Sequence, residues 1–312
     1  MPTVLRWGQS AYETDVDMQR ERDHAHALGL QWKAHPDTRT RPSETADVLV
    51  VTSKVHVTGP VLDTVRPTLV CTTTSGYEHI DLAAARNRNI AVVRCPMARR
   101  NAVVEHTLSC LIYLLRDLHS QVTPAHEGRW VRSQLPDFAP RGIAGSTIAV
   151  VGLGIIGQQV ASTLVHLGAN VIGVDPNPTG PSLPMAELDA AIADADAVTL
   201  HASATPSAIG MFDAQRLASL PARCVVINTA RGDLMDPIAA ARAVQSGHLG
   251  GLACDVFPEE PWPHLAEYAA PNILLTPHSS GFTQDLGERV AADVQQVLLA
   301  WVHGRAQAWR VA

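Results

Sequence analysis

This 312-residue chain has few cysteines and none spaced as CxxC: Cys71, Cys95, Cys110, Cys224 and Cys254 stand far apart and are odd in number. That spacing excludes a disulfide-stapled scaffold and supplies no zinc-ligand pattern, so no metal site is expected and the thiols read as buried groups. There is no basic block either. Twenty-four Lys and Arg stand against 30 Asp and Glu, a net charge of −6. The footprint that a phosphate backbone requires is missing, and nucleic acid is not expected as a partner. No apolar run reaches the roughly 20 residues of a bilayer span, and the longest near the middle, Val103 to Leu115, is broken by Glu105 and His106. The opening Met1-Pro2-Thr3-Val4-Leu5-Arg6-Trp7 has no basic region followed by an apolar stretch. A cytoplasmic protein without membrane attachment is the expectation. Internal repeats and low-complexity tracts are also missing.

What remains is a chain with 46% hydrophobic residues, long enough for about two domains with their own cores. Two stretches alternate strand and helix signals. In the first, Val4–Trp7, Asp47–Val51, Leu69–Thr72 and Ile90–Val93 are short and rich in β-branched residues. Helix-like segments lie between them: Val16 to Leu28 stops at Gly29, and Asp81 can cap a helix running to Arg88. A longer helix follows from Arg99 to Leu118, and then a loop-rich arm from Gln121 to Gly145 that holds Gly128, Trp130, Pro136 and Pro140. From Ser146 six more strands are expected: 147–151, 171–174, 197–200, 224–227, 251–254 and 273–276. They are nearly all apolar, which requires burial on both faces and points to a parallel, doubly wound α/β sheet. The last helix, about Asp285 to Val302, is expected to pack on the first domain.

Gly152-Leu153-Gly154-Ile155-Ile156-Gly157 directly follows the strand 147–151 and opens a helix. In that setting Gly152 permits the tight turn, Gly154 makes room for a pyrophosphate, and Gly157 lets helix and strand approach. The free N–H groups at Ile155 and Ile156 face the anion. The next strand ends in Asp175, where a carboxylate can take the ribose hydroxyls of NAD and would repel a 2′-phosphate. No Lys or Arg occurs from Gly142 through Gln215, so NAD is expected over NADP.

Three further turns sit at strand ends: Asn228-Thr229-Ala230-Arg231-Gly232, Asp255 to Pro261, and Thr276-Pro277-His278-Ser279-Ser280-Gly281. The carboxyl edge of an open α/β sheet is where ligands bind, so Arg231, Glu260 and His278 can converge there. Reduction of a 2-oxo acid needs an anion clamp, a proton donor and a group to tune that donor, which these three supply.

Together with Ser75-Gly76-Tyr77-Glu78-His79-Ile80-Asp81, Glu105-His106 and the glycine fingerprint, these motifs make the chain resemble the D-isomer-specific 2-hydroxyacid dehydrogenases over nearly its whole length. The resemblance implies two doubly wound domains. The smaller is a flavodoxin-like substrate domain, 1–97 completed by 285–312, and the larger is a Rossmann NAD-binding domain, 98–284, with the active site in the cleft and a homodimer as the usual assembly. It further implies that His278 is the general acid/base, that Glu260 hydrogen-bonds it and favours its imidazolium form, and that Arg231 grips the substrate carboxylate. Ser75 and Gly76 would bind that carboxylate through their N–H groups, Tyr77 would either line the pocket or pack in the core, and Asp255 would contact the nicotinamide with Thr229 and Ala230 beside it. Thr205 and Gly281 complete the implied cofactor set. The activity implied is an NAD-dependent dehydrogenase of a small 2-hydroxy acid, of the glyoxylate or hydroxypyruvate reductase kind. Two alternatives stand beside it: a binding module sensing NAD, as in the C-terminal-binding-protein corepressors, and a dehydrogenase of a larger phosphorylated or dicarboxylic acid.

The chain departs from the family at the third position after Cys95-Pro96, where an Asn or other small polar residue is common and Arg99 stands here, followed by Arg100. An extra cation there either meets a second anionic group on the substrate or faces solvent at a helix start. The missing Asn and the presence of Glu260 argue against the formate dehydrogenase branch. With the end of the sequence soon after Trp309, no regulatory domain or serine feedback is expected.

Overall fold

The computed structural model describes residues 1–135, 140–178 and 183–312. The chain divides into two compact units, Met1–Arg100 with Phe282–Ala312, and Asn101–Gly281. The boundaries expected at 97/98 and 284/285 lie three residues from these junctions. One helix, α4, Met97–Leu115, runs through the first junction, so no change of composition marks it.

The first unit contains β1 Thr3–Trp7, α1 Asp15–Ala27, β2 Gln31–His35, β3 Val48–Val51, α2 Gly59–Val65, β4 Leu69–Thr72, α3 Leu82–Arg86 and β5 Ala91–Arg94. Its strands are parallel in the order β2-β1-β3-β4-β5, the flavodoxin-like winding. All four residues of β3 and of β4 are buried, because helices cover both faces of the sheet. Local chemistry fixes the helix ends: Thr14 and Asp17 form a capping box on α1, and the Asp81 carboxylate accepts from Ala84 N–H at the start of α3. The strand β2 was not among the sequence expectations. It is a partly exposed edge strand reading Gln-Trp-Lys-Ala-His, paired only with β1, and so carries neither β-branched residues nor an apolar run. The C-terminal helix Leu286–Val302 places Leu286, Val290, Val294, Val297 and Leu298 in one core with Val4, Val48 and Val50, and thereby completes this unit.

The second unit holds the rest of α4, then α5 Leu118–His126, β6 Thr147–Val151, α6 Ile155–His166, β7 Asn170–Val174, α7 Leu188–Ile192, β8 Ala197–Leu200, α8 Ala214–Ser219, β9 Val225–Asn228, α9 Pro237–Gln245, β10 Gly251–Cys254 and β11 Ile273–Leu275. All six strands are parallel in the order β11-β10-β9-β8-β6-β7. The winding reverses between β6 and β8, and the carboxyl ends at such a switch point are where open α/β sheets bind their ligands. The arm expected from Gln121 begins inside α5, which also contains Pro124, and it carries Trp130 at 86% exposure. Pro136, the arm proline named from the sequence, lies outside the described residues. Among the described residues all five cysteines are free and buried, and no helix is long and apolar enough to cross a membrane.

Candidate active site

The chain leaves β6 through Gly152, whose φ is +93° and whose added Cβ would stand 2.4 Å from Ala202 N in the loop after β8. Only glycine fits such a turn. At Gly157, in the first turn of α6, a Cβ would stand 1.9 Å from the Gly152 carbonyl oxygen, so helix and loop touch backbone to backbone. Gly154 differs: a Cβ there meets nothing within 4 Å. The open space lies at the uncapped N-terminus of a 12-residue helix, with Ile155 and Ile156 as its first two residues, which is the cradle a pyrophosphate requires.

Asp175, just past β7, ties this loop down. Its Oδ2 accepts from Leu153 N–H at 2.7 Å and its Oδ1 from Asn177 N–H at 2.8 Å. A carboxylate has about four acceptor positions, so both oxygens keep lone pairs for ribose hydroxyls. The residues present therefore fit a dinucleotide. Gly152→Ala should raise the Kd for NADH at least tenfold and cost about 2 kcal/mol of stability, because it puts a side chain at positive φ against backbone. Fluorescence titration of NADH and thermal unfolding check both.

At the ends of β9, β10 and β11 the chain is hydrogen-bonded side by side. Asp255 N–H donates to Asn228 O at 3.0 Å, Thr276 N–H to Cys254 O at 3.0 Å, and His278 N–H to Asp255 O at 2.8 Å. Asn228, buried at the end of β9, shapes the first turn: its Nδ2 donates to Arg231 O at 2.9 Å and its Oδ1 accepts from Ala230 N–H at 3.1 Å. Thr229 is anchored to Thr107 of α4, hydroxyl to hydroxyl at 3.0 Å. Arg231 follows with its Nη1 on Ala230 O at 2.6 Å. At the next residue, Gly232, a Cβ would stand 1.9 Å from Phe257 C, so the Arg231 turn packs directly on the Asp255 turn.

Asp255 is 1% exposed, and its carboxylate organises the third turn. Oδ1 accepts from the Thr276 hydroxyl at 2.6 Å and from Ser279 N–H at 2.8 Å, while Oδ2 accepts from Ser280 N–H at 2.9 Å. Burial pushes this carboxyl up, but the hydrogen bonds from Ser280, Thr276 and Ser279 outweigh it and hold the group below its ordinary value. The turn leaves His278 at φ +54°. Its Nδ1 lies 2.8 Å from Glu260 Oε2, and the other Glu260 oxygen accepts from Phe257 N–H at 3.0 Å. Glu260 is thus fixed from both sides. With Nδ1 donating to a carboxylate, the Nε2 of a side chain that is 54% exposed is the nitrogen left for chemistry.

The remaining expected residues sit as follows. Thr205 is exposed in the loop after β8, its hydroxyl 3.1 Å from that of Ser207, and Gly281 ends the second unit. In the first unit Ser75 and Gly76 follow β4, and Tyr77 is half-buried against the core around Val57 and Ile80. Arg99 lies in the first turn of α4 and is bonded to Thr73 O and to the Tyr12 hydroxyl. His106 Nε2 is 3.4 Å from the Thr276 hydroxyl, and His201 bonds Thr199 while burial pushes it down to about 4. The shaping roles of Asn228, Thr276 and Asp255 were missed from the sequence. A buried-strand pattern ending in Asn was the one available signal, since an amide there must satisfy itself on a turn.

The family model "D-isomer specific 2-hydroxyacid dehydrogenase, NAD binding domain" matches residues 108–280, more than half of the chain. The D-3-phosphoglycerate dehydrogenase of Mycobacterium leprae (strain TN) is 31% identical over 277 residues, covering 86% of this chain and 52% of that protein. A glycerate dehydrogenase of Methylorubrum extorquens is 29% identical over 245 residues, covering 77% of each. Among solved structures, the TT0316 protein from Thermus thermophilus superposes with a TM-score of 0.81 at 28% identity, over 99% of this chain and all of that one. The chain spans about half the length of the phosphoglycerate dehydrogenases it matches. A glycine turn tied to Asp175, three hydrogen-bonded loops at one sheet edge and a family model spanning them lead to one conclusion: this chain belongs to the D-isomer specific 2-hydroxyacid dehydrogenase family and contains its NAD-binding domain.

Proposed function

We propose that the protein is an NAD-dependent dehydrogenase that interconverts a small 2-oxo acid and its 2-hydroxy acid. The observation that carries this reading is the Glu260–His278 pair, 2.8 Å apart on turns that also hold Arg231 at the same sheet edge. When bound, NADH supplies the hydride. Arg231 would grip the substrate carboxylate and polarise the adjacent carbonyl with its fork of donors. His278 would hold at Nε2 the proton that the carbonyl oxygen takes up, and Glu260 would steady the imidazolium through Nδ1. Asp255, Thr229, Ala230, Thr205 and Gly281 are proposed to line the cofactor, and Ser75, Gly76, Tyr77 and Arg99 to serve the substrate.

The test is NADH oxidation with a panel containing glyoxylate, hydroxypyruvate, a phosphorylated 2-oxo acid and a dicarboxylic one. Turnover with at least one small acid is expected, at a KM for NADH at least tenfold below that for NADPH, because Asp175 would repel a 2′-phosphate. Absence of turnover across the panel refutes the reading, and a preference for NADPH refutes the cofactor assignment. The phosphorylated alternative draws support from the name of the mycobacterial relative. NADH-dependent dimerisation with no turnover would favour the binding module. A homodimer in the cytoplasm belongs to the same proposal. The buried free thiols support a reducing compartment.

A further inference from the structure

Ser75, Gly76 and Tyr77 follow β4 in succession, and none of their three N–H groups has an acceptor among the described residues. The carbonyls of the same loop are all taken. Thr74 O accepts from Cys95 N–H at 3.2 Å, Ser75 O from Arg94 Nη1 at 3.3 Å, and Gly76 O from the Thr74 hydroxyl at 2.7 Å. In a trans peptide the C=O of one residue and the N–H of the next point in opposite directions. Holding the carbonyls of 74, 75 and 76 therefore turns each following N–H, of 75, 76 and 77, away from the group that holds its carbonyl, and leaves all three as donors for a ligand.

One of the three holding groups is charged. Arg94 ends β5, its side chain is half-buried, and its Nε is buried with no partner among the described residues. A guanidinium on the Ser75 carbonyl makes a charge-assisted bond and polarises the peptide, so the Gly76 N–H on its far side becomes the stronger donor. Arg99 anchors the entry to the loop in the same manner. Its Nη1 donates to Thr73 O at 2.6 Å, its other arm bonds the Tyr12 hydroxyl, and the guanidinium lies 5.1 Å from the centroid of the Tyr12 ring. Both arginines grip carbonyls of the loop.

We infer that Arg94, with Arg99 behind it, is a positioning residue for substrate. It holds the Ser75 carbonyl so that the Gly76 N–H meets the carboxylate of a 2-oxo acid, and it does not touch the substrate itself. This rests on the proposed dehydrogenase reading and names how that substrate's carboxylate is received. It also separates two uses of the cations here, since a residue that orients these donors affects every 2-oxo acid, whereas one that contacts a second anionic group affects only acids that carry one.

The experiment compares wild type with Arg94→Met, Arg94→Lys and Arg99→Ala in the full chain. It measures KM and kcat for glyoxylate and for a dicarboxylic 2-oxo acid, and binding of oxamate, an unreactive 2-oxo acid mimic, in the presence of NADH. Arg94→Met should raise KM for both acids about tenfold and weaken oxamate binding by a similar factor, with kcat and the KM for NADH changed less than threefold. Arg94→Lys should recover most of the loss, and Arg99→Ala should raise both KM values by a similar ratio. Unchanged KM and oxamate affinity in a folded Arg94→Met overturns the inference alone. A KM increase confined to the dicarboxylic acid overturns it in favour of direct contact. Wild type that binds oxamate, loses that affinity in Arg94→Met and shows no turnover keeps the inference and removes the dehydrogenase reading; wild type that neither binds nor turns over removes both.

Discussion

His278→Asn should lower kcat for 2-oxo acid reduction by about 100- to 10,000-fold, the usual span for loss of a general acid. NADH should bind as before, because the imidazole touches Glu260 and not the glycine turn. The side chain is 54% exposed, so thermal stability should move by less than about 0.5 kcal/mol. Glu260→Gln removes the charge and leaves one acceptor oxygen for two donors, His278 Nδ1 and Phe257 N–H, and its kcat should fall by a smaller factor. Stopped-flow reduction separates the chemical step from release. A His278→Asn enzyme with kcat within threefold of wild type would remove this residue from the chemistry.

Asp255→Ala should damage both fold and activity. The substitution leaves Ser279 N–H, Ser280 N–H and the Thr276 hydroxyl without their acceptor in a buried place, at a cost of about 3 kcal/mol. For a unit of this size that lowers the thermal midpoint by roughly 6–12 °C. The turn that sets His278 at positive φ would loosen, and kcat should drop with it. The same carboxylate gives a pH dependence with a defined sign. Its folded pKa lies below its unfolded value, so its contribution is fully present above about pH 4 and is lost as pH falls through the folded value. Acid unfolding followed by circular dichroism should therefore begin at a higher pH in Asp255→Asn than in wild type. Coincident acid transitions would show that the carboxylate carries no such linkage.

The glycine turn was legible because its geometry is a backbone matter: Gly152 and Gly157 have no substitute at those contacts, and the spacing is local. The six strands of the second unit were legible from their apolar runs, since a parallel sheet covered on both faces permits little else. Edge strand β2 was not, because half of its surface meets solvent and its residues carry no pattern. The helix α2, Gly59–Val65, has a single buried side and is too short for a period to show.

Asp255 is the clearest case of a role hidden from the sequence. The expectation from the sequence named only a place beside the nicotinamide; the structure adds that its carboxylate accepts from Thr276, Ser279 and Ser280, 21 to 25 positions away. Spacing along the chain cannot reveal such bonds, because they exist only once β10 and β11 lie side by side in register. The same holds for Arg99, expected either on a second anionic group of the substrate or in solvent, and for Arg94, which the sequence did not single out: β5 and α4 bring both onto the carbonyls of the loop after β4. The sequence alone determined the class of sheet, the dinucleotide turn and the residue types able to move a proton or clamp a carboxylate, all of which depend on neighbours a few positions apart. Tertiary structure decided which nitrogen of His278 is free, which carboxylate shapes its turn and which way the Ser75–Tyr77 peptides face, since each is set by hydrogen bonds between strands distant in sequence.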